Sequence, residues 1–144
     1  MKITLSILLL ILSANIFGQE FSSAFKIIPV NKMVKDFSDK YDLSTPLNSG
    51  ITFTYILING KDGLLRQVSS AKYKYIFPTE APDSKVVEAL KNKYLNTKII
   101  EYITYKDSVA CFITERSDSN FSIRFLYNEN GNWVNAGEDG RRSL

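Results

Sequence analysis

The second half of the chain carries apolar residues with a period of two, which is typical of β-strands. Four such runs follow one another after Lys98, at 99–105, 108–115, 121–127 and 133–136. The links between the runs contain turn-forming residues, as at Lys106-Asp107 and Asn130-Gly131. Consecutive strands with short links form an antiparallel meander. The pattern therefore predicts a four-strand sheet at the end of the fold.

The last hairpin, between Phe121 and Asp139, contains the single tryptophan, Trp133. A type I turn followed by a left-handed Gly131 would make a three-residue loop and place Tyr127 opposite Trp133. A two-residue type I′ turn at Asn130-Gly131 would place Tyr127 opposite Val134 and move Trp133 to the other face. We favour the first register. It places Phe121, Ile123, Phe125, Tyr127 and Trp133 on one face, and Ser122, Arg124, Leu126 and Val134 on the other.

The first half of the chain shows helical spacing. Val30, Met33, Val34 and Phe37 fall at i, i+3, i+4 and i+7, which predicts a helix ending by Asp42. Ser44-Thr45-Pro46 offers an N-cap and a proline at the first helical position, and Gly60 offers a C-cap. These caps predict a second helix, although residues 52–56 have strand-forming side chains.

A third helix is predicted from Asp83 or Ser84 to Asn96, with an apolar stripe at Val86, Val87, Leu90 and Tyr94. Before it, Ala71–Phe77 alternates between lysines and aromatics, which predicts an edge strand. The order predicts an α+β fold, with N-terminal helices packed on a curved antiparallel sheet that ends in the four-strand meander.

The first residues have the pattern of a secretory signal peptide. Lys2 precedes an apolar run from Ile3 to Leu12, and Gly18 is a small residue at the predicted cleavage point. The run is shorter than the roughly 20 residues that span a bilayer, which favours a cleaved signal over an uncleaved anchor. We expect a signal peptide at 1–18, a single domain at 19–144, and export to the periplasm or the extracellular space, without stable membrane insertion after cleavage.

Composition narrows the chemistry that the chain can perform. The chain has no histidine, so the usual general base and the commonest zinc ligand are absent. Its single cysteine, Cys111, cannot form an intramolecular disulfide, and we expect it to be a buried structural thiol. The net charge of +3 does not favour nucleic acid. We predict no catalytic residue, no metal site and no cofactor.

The closing segment, Phe125-Leu-Tyr-Asn-Glu-Asn-Gly-Asn-Trp133-Val-Asn, resembles the last two strands of the nuclear-transport-factor-like, or cystatin-like, α+β superfamily in its exported bacterial form. The resemblance implies a conical sheet with a pocket, which serves catalysis in some members and binding or dimerisation in many. Catalytic members often use an Asp–His pair in that pocket. The absence of histidine puts this activity in doubt.

Four aromatic residues are the candidate ligand-binding residues: Trp133, Tyr127, Phe125 and Tyr102. The alternative is that Trp133 and Tyr127 form a cross-strand aromatic pair in the core. Arg124 is expected as a charge on the convex face, and Glu138-Asp139 as a solvated turn.

The leading hypothesis is an exported, non-enzymatic domain that binds a small ligand or an envelope partner on the concave face of its sheet. One alternative is a histidine-free enzyme with a pocket of tyrosine and carboxylate side chains, which requires a carboxyl with a raised pKa. Another is a structural protein of the cell envelope that self-associates through a strand such as Ala71–Phe77. A homodimer is a further expected partner arrangement.

Overall fold

The computed structural model describes residues 24–77, 79–80, 82–116 and 120–141. The predicted signal peptide lies outside this part of the chain. Within these described residues the fold is α+β, with three α-helices and one antiparallel sheet. The helices are α1 (Pro46–Ile58), α2 (Asp62–Leu65) and α3 (Ser84–Tyr94). The strands are β1 (Phe25–Met33), β2 (Lys98–Tyr105), β3 (Val109–Glu115), β4 (Phe121–Glu129) and β5 (Asn132–Arg141).

The five strands lie in the order β1-β2-β3-β4-β5, and each pairs antiparallel with the next. The predicted meander is confirmed as β2 to β5, and β1 extends it at one edge. The prediction that the fold starts with helices is wrong, because β1 precedes them. β1 carries Pro29, which an edge strand tolerates, and a bulge between Pro29 and Lys32 where Asn31 has a positive φ of 52°.

The predicted helix from Val30 to Asp42 is therefore absent. Val30 and Met33 belong to β1, and only a single 3₁₀ turn, Val34–Asp36, follows. Val34 is buried, and its N–H donates to the carbonyl of Thr97 at 3.0 Å. The spacing of these four apolar residues fits a helix. In the structure, Val30 and Met33 instead belong to a strand that pairs with β2, and Val34 is buried in the 3₁₀ turn that follows.

Helix α1 begins where its capping residues predicted. The Thr45 hydroxyl accepts a hydrogen bond from the Asn48 N–H at 3.1 Å, and Pro46 occupies the first turn. Gly60 follows the helix with φ of 65°. Thr52 and Thr54 are buried in α1, where the Thr54 hydroxyl donates to the Gly50 carbonyl at 2.8 Å.

Helix α1 packs on one face of the sheet, which we call the helix-facing face. Gly50 lies over the Phe112 ring so closely that a Cβ there would sit 2.9 Å from a ring carbon. The main core cluster lies between this helix and the sheet and consists of Val34, Ile51, Ile99, Ala110, Phe112, Leu126 and Trp133. A glycine at position 50 thus sets how near the helix approaches the sheet.

The segment Ala71–Phe77 is not a strand. The N–H groups of Tyr73 and Lys74 both donate to the Ser70 carbonyl, and a 3₁₀ turn follows at Lys74–Ile76. The Tyr73 ring packs edge-on against Phe77, with 5.2 Å between ring centroids. The alternating pattern predicted a strand, but the segment forms local turns. Phe77 packs against a second core cluster, and Tyr75 is exposed. The second core cluster consists of Phe53, Ile56, Leu65 and Val68.

The β4–β5 hairpin has the register that we did not favour. Tyr127 lies opposite Val134, and Asn128 lies opposite Trp133. Asn130 and Gly131 both have positive φ, of 55° and 85°, as a two-residue type I′ turn requires. Trp133 therefore points to the helix-facing face and is 5% exposed.

The opposite face of the sheet, which we call the open face, carries the predicted aromatic row without Trp133. The prediction that Trp133 shares a face with Phe121, Ile123, Phe125 and Tyr127 is therefore wrong. By strand alternation the apolar side chains of the open face include Phe25, Ile27, Ile103, Tyr105, Val109, Cys111, Ile113, Phe121, Ile123, Phe125 and Tyr127. Phe125 and Tyr127 are 38% and 44% exposed. Cys111 is half-buried here and not fully buried as predicted, and burial raises the pKa of its thiol.

Among the described helices, none has the length and apolar character needed to cross a membrane.

Candidate ligand-binding site

A cavity of about 340 Å³, which we call the Trp133 cavity, lies on the helix-facing side of the sheet, at the end where the β2–β3 and β4–β5 turns meet. Its lining residues come from four strands, the β2–β3 turn, the segment before α1 and the first residue of α1. They are Lys26, Ile28, Ser44, Thr45, Pro46, Tyr102, Thr104, Asp107, Asn128 and Trp133. The volume falls within the roughly 300–1,000 Å³ of small-molecule sites.

The floor of the cavity follows from strand pairing. Lys26 lies opposite Thr104, and Ile28 lies opposite Tyr102, so the four side chains form two neighbouring rows on the same face. Tyr102 packs against the main core cluster and is half-buried. The floor thus offers one ammonium group, two hydroxyl groups and an aliphatic side chain.

Trp133 is held at the other side of the cavity by its backbone. Its N–H donates to the Leu43 carbonyl at 2.8 Å, and its carbonyl accepts from the Ser49 hydroxyl at 2.7 Å. These two bonds attach β5 to the start of α1. Most of the Trp133 side chain lies in the core, so only its edge is available to the cavity.

The turn residues complete the rim. Lys106 and Asp107 both have positive φ, of 45° and 51°, in the tight β2–β3 turn that the sequence predicted. The Asn128 side-chain amide donates to the Asp107 carbonyl at 3.1 Å, and its oxygen accepts from the Gly131 N–H at 3.0 Å. Asn128 thus fixes the two turns to each other at the mouth of the cavity.

Two of the four predicted ligand-binding residues, Trp133 and Tyr102, line this cavity together. The other two, Phe125 and Tyr127, lie on the open face of the sheet. The sequence missed the remaining lining residues. The meander itself contained a usable signal, because the first and third turns of a four-strand meander lie at the same end, which places Asp107 near Asn128.

A second polar cluster lies farther along the helix-facing face, around Arg124. The predicted convex-face position of Arg124 is wrong, since it is 5% exposed beneath α1. Its Nη1 donates to the Gly50 carbonyl at 3.2 Å and to the Thr54 hydroxyl at 3.0 Å. Its Nη2 lies 3.1 Å from Glu138 Oε2, and its guanidinium stacks 4.4 Å from the centre of the Phe53 ring.

Glu138 belongs to β5 and is not part of a solvated turn as predicted. Burial would raise the pKa of Glu138, but the Arg124 charge and hydrogen bonds from Ser122 and Arg124 outweigh it and lower that pKa. The Ser122 hydroxyl donates to Oε1 at 2.6 Å. Burial and the nearby Glu138 charge raise the pKa of Tyr73.

This cluster therefore has the properties of a structural ion pair. Glu138 stays ionised and Tyr73 stays protonated near neutral pH, so neither is suited to exchange a proton there. Burial raises the pKa of Asp62, but Asp62 does not line the Trp133 cavity. In the described part of the chain, no group of three or more Cys, Asp or Glu side chains is placed to hold a metal ion.

A larger recess, of about 640 Å³, runs beside α3. It is lined by Ser84, Val87, Glu88, Lys91, Asn92 and Leu95. All of these lie on α3 or directly after it. The lining of this recess comes from one helix, whereas the lining of the Trp133 cavity comes from several strands, a turn and the start of α1, so the Trp133 cavity is the better candidate site.

Comparison with protein-family models, with curated proteins and with solved structures finds no match for this chain. The resemblance to the nuclear-transport-factor-like superfamily therefore stays a prediction.

Proposed function

We propose that the protein is an exported, non-catalytic domain that binds a small polar ligand in the Trp133 cavity. The observation that carries the proposal is the meeting of Tyr102 and Trp133. They come from β2 and β5, about 14 Å apart in the sheet at the usual strand spacing, and they line one cavity of about 340 Å³.

The chemistry of the lining defines the ligand class. Ser44, Thr45, Tyr102 and Thr104 supply hydroxyl groups, while Ile28, Pro46 and the Trp133 edge supply apolar surface. Lys26 and Asp107 place one charge of each sign at the cavity. This mixture suits a small neutral or zwitterionic molecule that has several hydroxyl or amide groups and one apolar side, such as a monosaccharide.

The pKa shifts of two carboxyl groups, Glu138 and Asp62, favour binding over catalysis. An acid–base enzyme without histidine would need a carboxyl whose pKa is raised towards neutrality inside a cavity. The pKa of Glu138 is lowered, and the carboxyl with a raised pKa, Asp62, lies away from the Trp133 cavity. The proposal therefore assigns no catalytic role to either residue.

Export rests on the N-terminal pattern of Lys2, the apolar run and Gly18. The expected product begins at Gln19. The mass of the protein recovered from the periplasm or the medium of an expressing bacterium tests this directly. A cell-associated product of full mass would contradict cleavage.

The ligand-binding proposal is tested by screening monosaccharides and amino acids against the purified protein. The intrinsic fluorescence of Trp133, the single tryptophan, reports binding without a label. Lys26→Ala and Tyr102→Phe each remove one polar group from the lining. We expect each to weaken binding by about 5- to 50-fold, as loss of one hydrogen bond does, with the larger effect at Lys26 if the bond is to a charged group.

Matched controls are Lys72→Ala and Tyr127→Phe, which make the same changes away from the cavity. Lys72 is exposed in the turn after Ser70, and Tyr127 lies on the open face. Equal loss of binding in the cavity variants and in the controls would contradict the proposed site.

A further inference from the structure

The open face carries large exposed apolar side chains where an antiparallel sheet with one covered face normally presents polar ones. Ile27 is 63% exposed, Tyr127 44%, Phe121 40% and Phe125 38%. At roughly 200 Å² for each fully exposed side chain of this size, these four alone expose about 350–400 Å². That area already matches the largest apolar patch of a typical monomer, which measures roughly 300–600 Å².

Half-buried neighbours make the patch continuous. Ile103, Cys111 and Phe125 lie side by side across β2, β3 and β4, and Ile113 lies opposite Ile123 in the next row. With these neighbours the open face approaches the roughly 800 Å² per partner that a stable interface buries. An apolar sheet surface of this size fits another sheet, because sheets pack face to face about 10 Å apart.

Charged side chains of both signs lie at each end of this face, around its apolar centre. At one end Glu115 lies opposite Lys98. At the other end the Lys106 ammonium lies 5.5 Å from the centre of the Tyr105 ring, and strand alternation places Glu129, the last residue of β4, on the same face. The apolar centre is therefore the part that a second copy would cover, and the charges would lie at the rim.

We infer that the open face is the interface of a homodimer, in which two sheets pack face to face about a two-fold axis parallel to the planes of the sheets. Two copies of this surface match each other in area and in apolar character, as a two-fold interface requires. The inference is independent of the proposed ligand site, which lies on the opposite face of the sheet.

The geometry places Cys111 close to the axis. β3 is the middle strand of the five, and Cys111 lies between Ile103 and Phe125 in the middle of the apolar rows. In the dimer the two sheet backbones lie about 10 Å apart and the Cys111 side chains point towards each other between them, so the two thiols lie roughly 5 Å apart. Cys111 thus provides a built-in probe of the interface.

The test compares Ile27→Lys with Ile76→Lys in the full chain, by sedimentation velocity from about 1 to 100 μM. The two isoleucines are almost equally exposed, at 63% and 61%, but Ile76 lies in the 3₁₀ turn outside the sheet. The native chain and Ile76→Lys are expected to be dimers. Ile27→Lys should raise the dimer dissociation constant by at least about 100-fold, because each copy would bury an unpaired ammonium group.

One further measurement tests the arrangement of the copies. A short thiol cross-linker that spans roughly 5 Å, such as dibromobimane, should link Cys111 to Cys111 in the native chain, with at least tenfold less product in Ile27→Lys.

Three results would each overturn the inference. The first is a native chain that sediments as a monomer at 100 μM. The second is a dimer that Ile27→Lys and Ile76→Lys affect equally. The third is a Cys111 thiol that is protected from maleimide in a monomer, which would show that another segment of the same chain covers the face. Circular dichroism of each variant confirms that it is folded before these results are compared.

Discussion

Arg124 and Glu138 face each other across the β4–β5 ladder, with 3.1 Å between Nη2 and Oε2, and they connect the sheet to helix α1. The guanidinium also bonds the Gly50 carbonyl and the Thr54 hydroxyl, so one side chain joins two strands and a helix. Its Nε is buried without a partner in the described structure. Arg124 is thus a buried connection that reaches the partly exposed Glu138, and its loss has measurable consequences for stability.

Replacing Arg124 by alanine should destabilise the fold by about 3–5 kcal/mol, because it leaves Glu138 partly buried without its counter-charge and opens a gap against Phe53. Urea denaturation followed by Trp133 fluorescence measures the change. Lys72→Ala, at an exposed position, should stay within about 0.5 kcal/mol of the native chain. An Arg124→Ala cost no larger than this control would mean that the ion pair contributes nothing.

Glu138 should make the stability depend on pH in the acid range. Its pKa is lower in the folded chain than its ordinary value of about 4.5, so the folded state binds fewer protons than the unfolded state there. The stabilisation is fully present above the unfolded pKa and is lost as pH falls through the folded pKa. Glu138→Gln should therefore be less stable than the native chain at pH 7, and the difference should shrink below pH 4.5.

That comparison is made by urea denaturation at a series of pH values from 7 downwards. The Gln side chain keeps an oxygen for the Ser122 hydroxyl, whereas its NH₂ group replaces the oxygen that accepts from Arg124 Nη2, so the variant removes the charge and that one acceptor. A stability difference that is constant across this range would show that Glu138 has the same pKa in both states.

Two glycines in helices provide a matched test of packing. A Cβ at Gly50 would lie 2.9–3.0 Å from three carbons of the Phe112 ring, whereas a Cβ at Gly63 would meet nothing within 4 Å. Gly50→Ala should cost about 1–3 kcal/mol through overpacking. Gly63→Ala should be neutral or stabilising by up to about 1 kcal/mol, because alanine favours helix. Thermal unfolding distinguishes the two, and equal effects would contradict the close approach of α1 to the sheet.

Capping residues, turn residues and apolar alternation predicted the elements that are determined by residues close together in the chain. Thr45, Pro46 and Gly60 marked the ends of α1 correctly, although Thr52 to Ile56 favours strands by propensity. The buried threonines are accommodated because their hydroxyl groups bond to nearby carbonyls, as Thr52 does to Lys40 and Asp42. The four strands of the meander followed from alternation and turn residues in the same way.

The failures arose where a distant partner decided the structure. Both turn types fitted the residues from Asn128 to Gly131, and the bonds of the Trp133 backbone to Leu43 and Ser49 are formed only in the register with the two-residue turn. The sequence alone did not reveal these partners, which lie far from the hairpin in the chain. The candidate site was therefore predicted in part, with Tyr102 and Trp133 brought together and Phe125 and Tyr127 placed on the opposite face.

Strand β1 differs from the others in the separation of its pairing partner. The pairs β2–β3, β3–β4 and β4–β5 join neighbours in the chain, whereas β1 pairs with β2 across roughly 60 residues that include all three helices. Closing so long a loop costs more chain entropy than closing a hairpin. We therefore expect β1 to join the sheet late in folding and to exchange its amide hydrogens sooner than β3. The edge of the sheet that carries Lys26 and Ile28 would then be the part of the ligand cavity that assembles last.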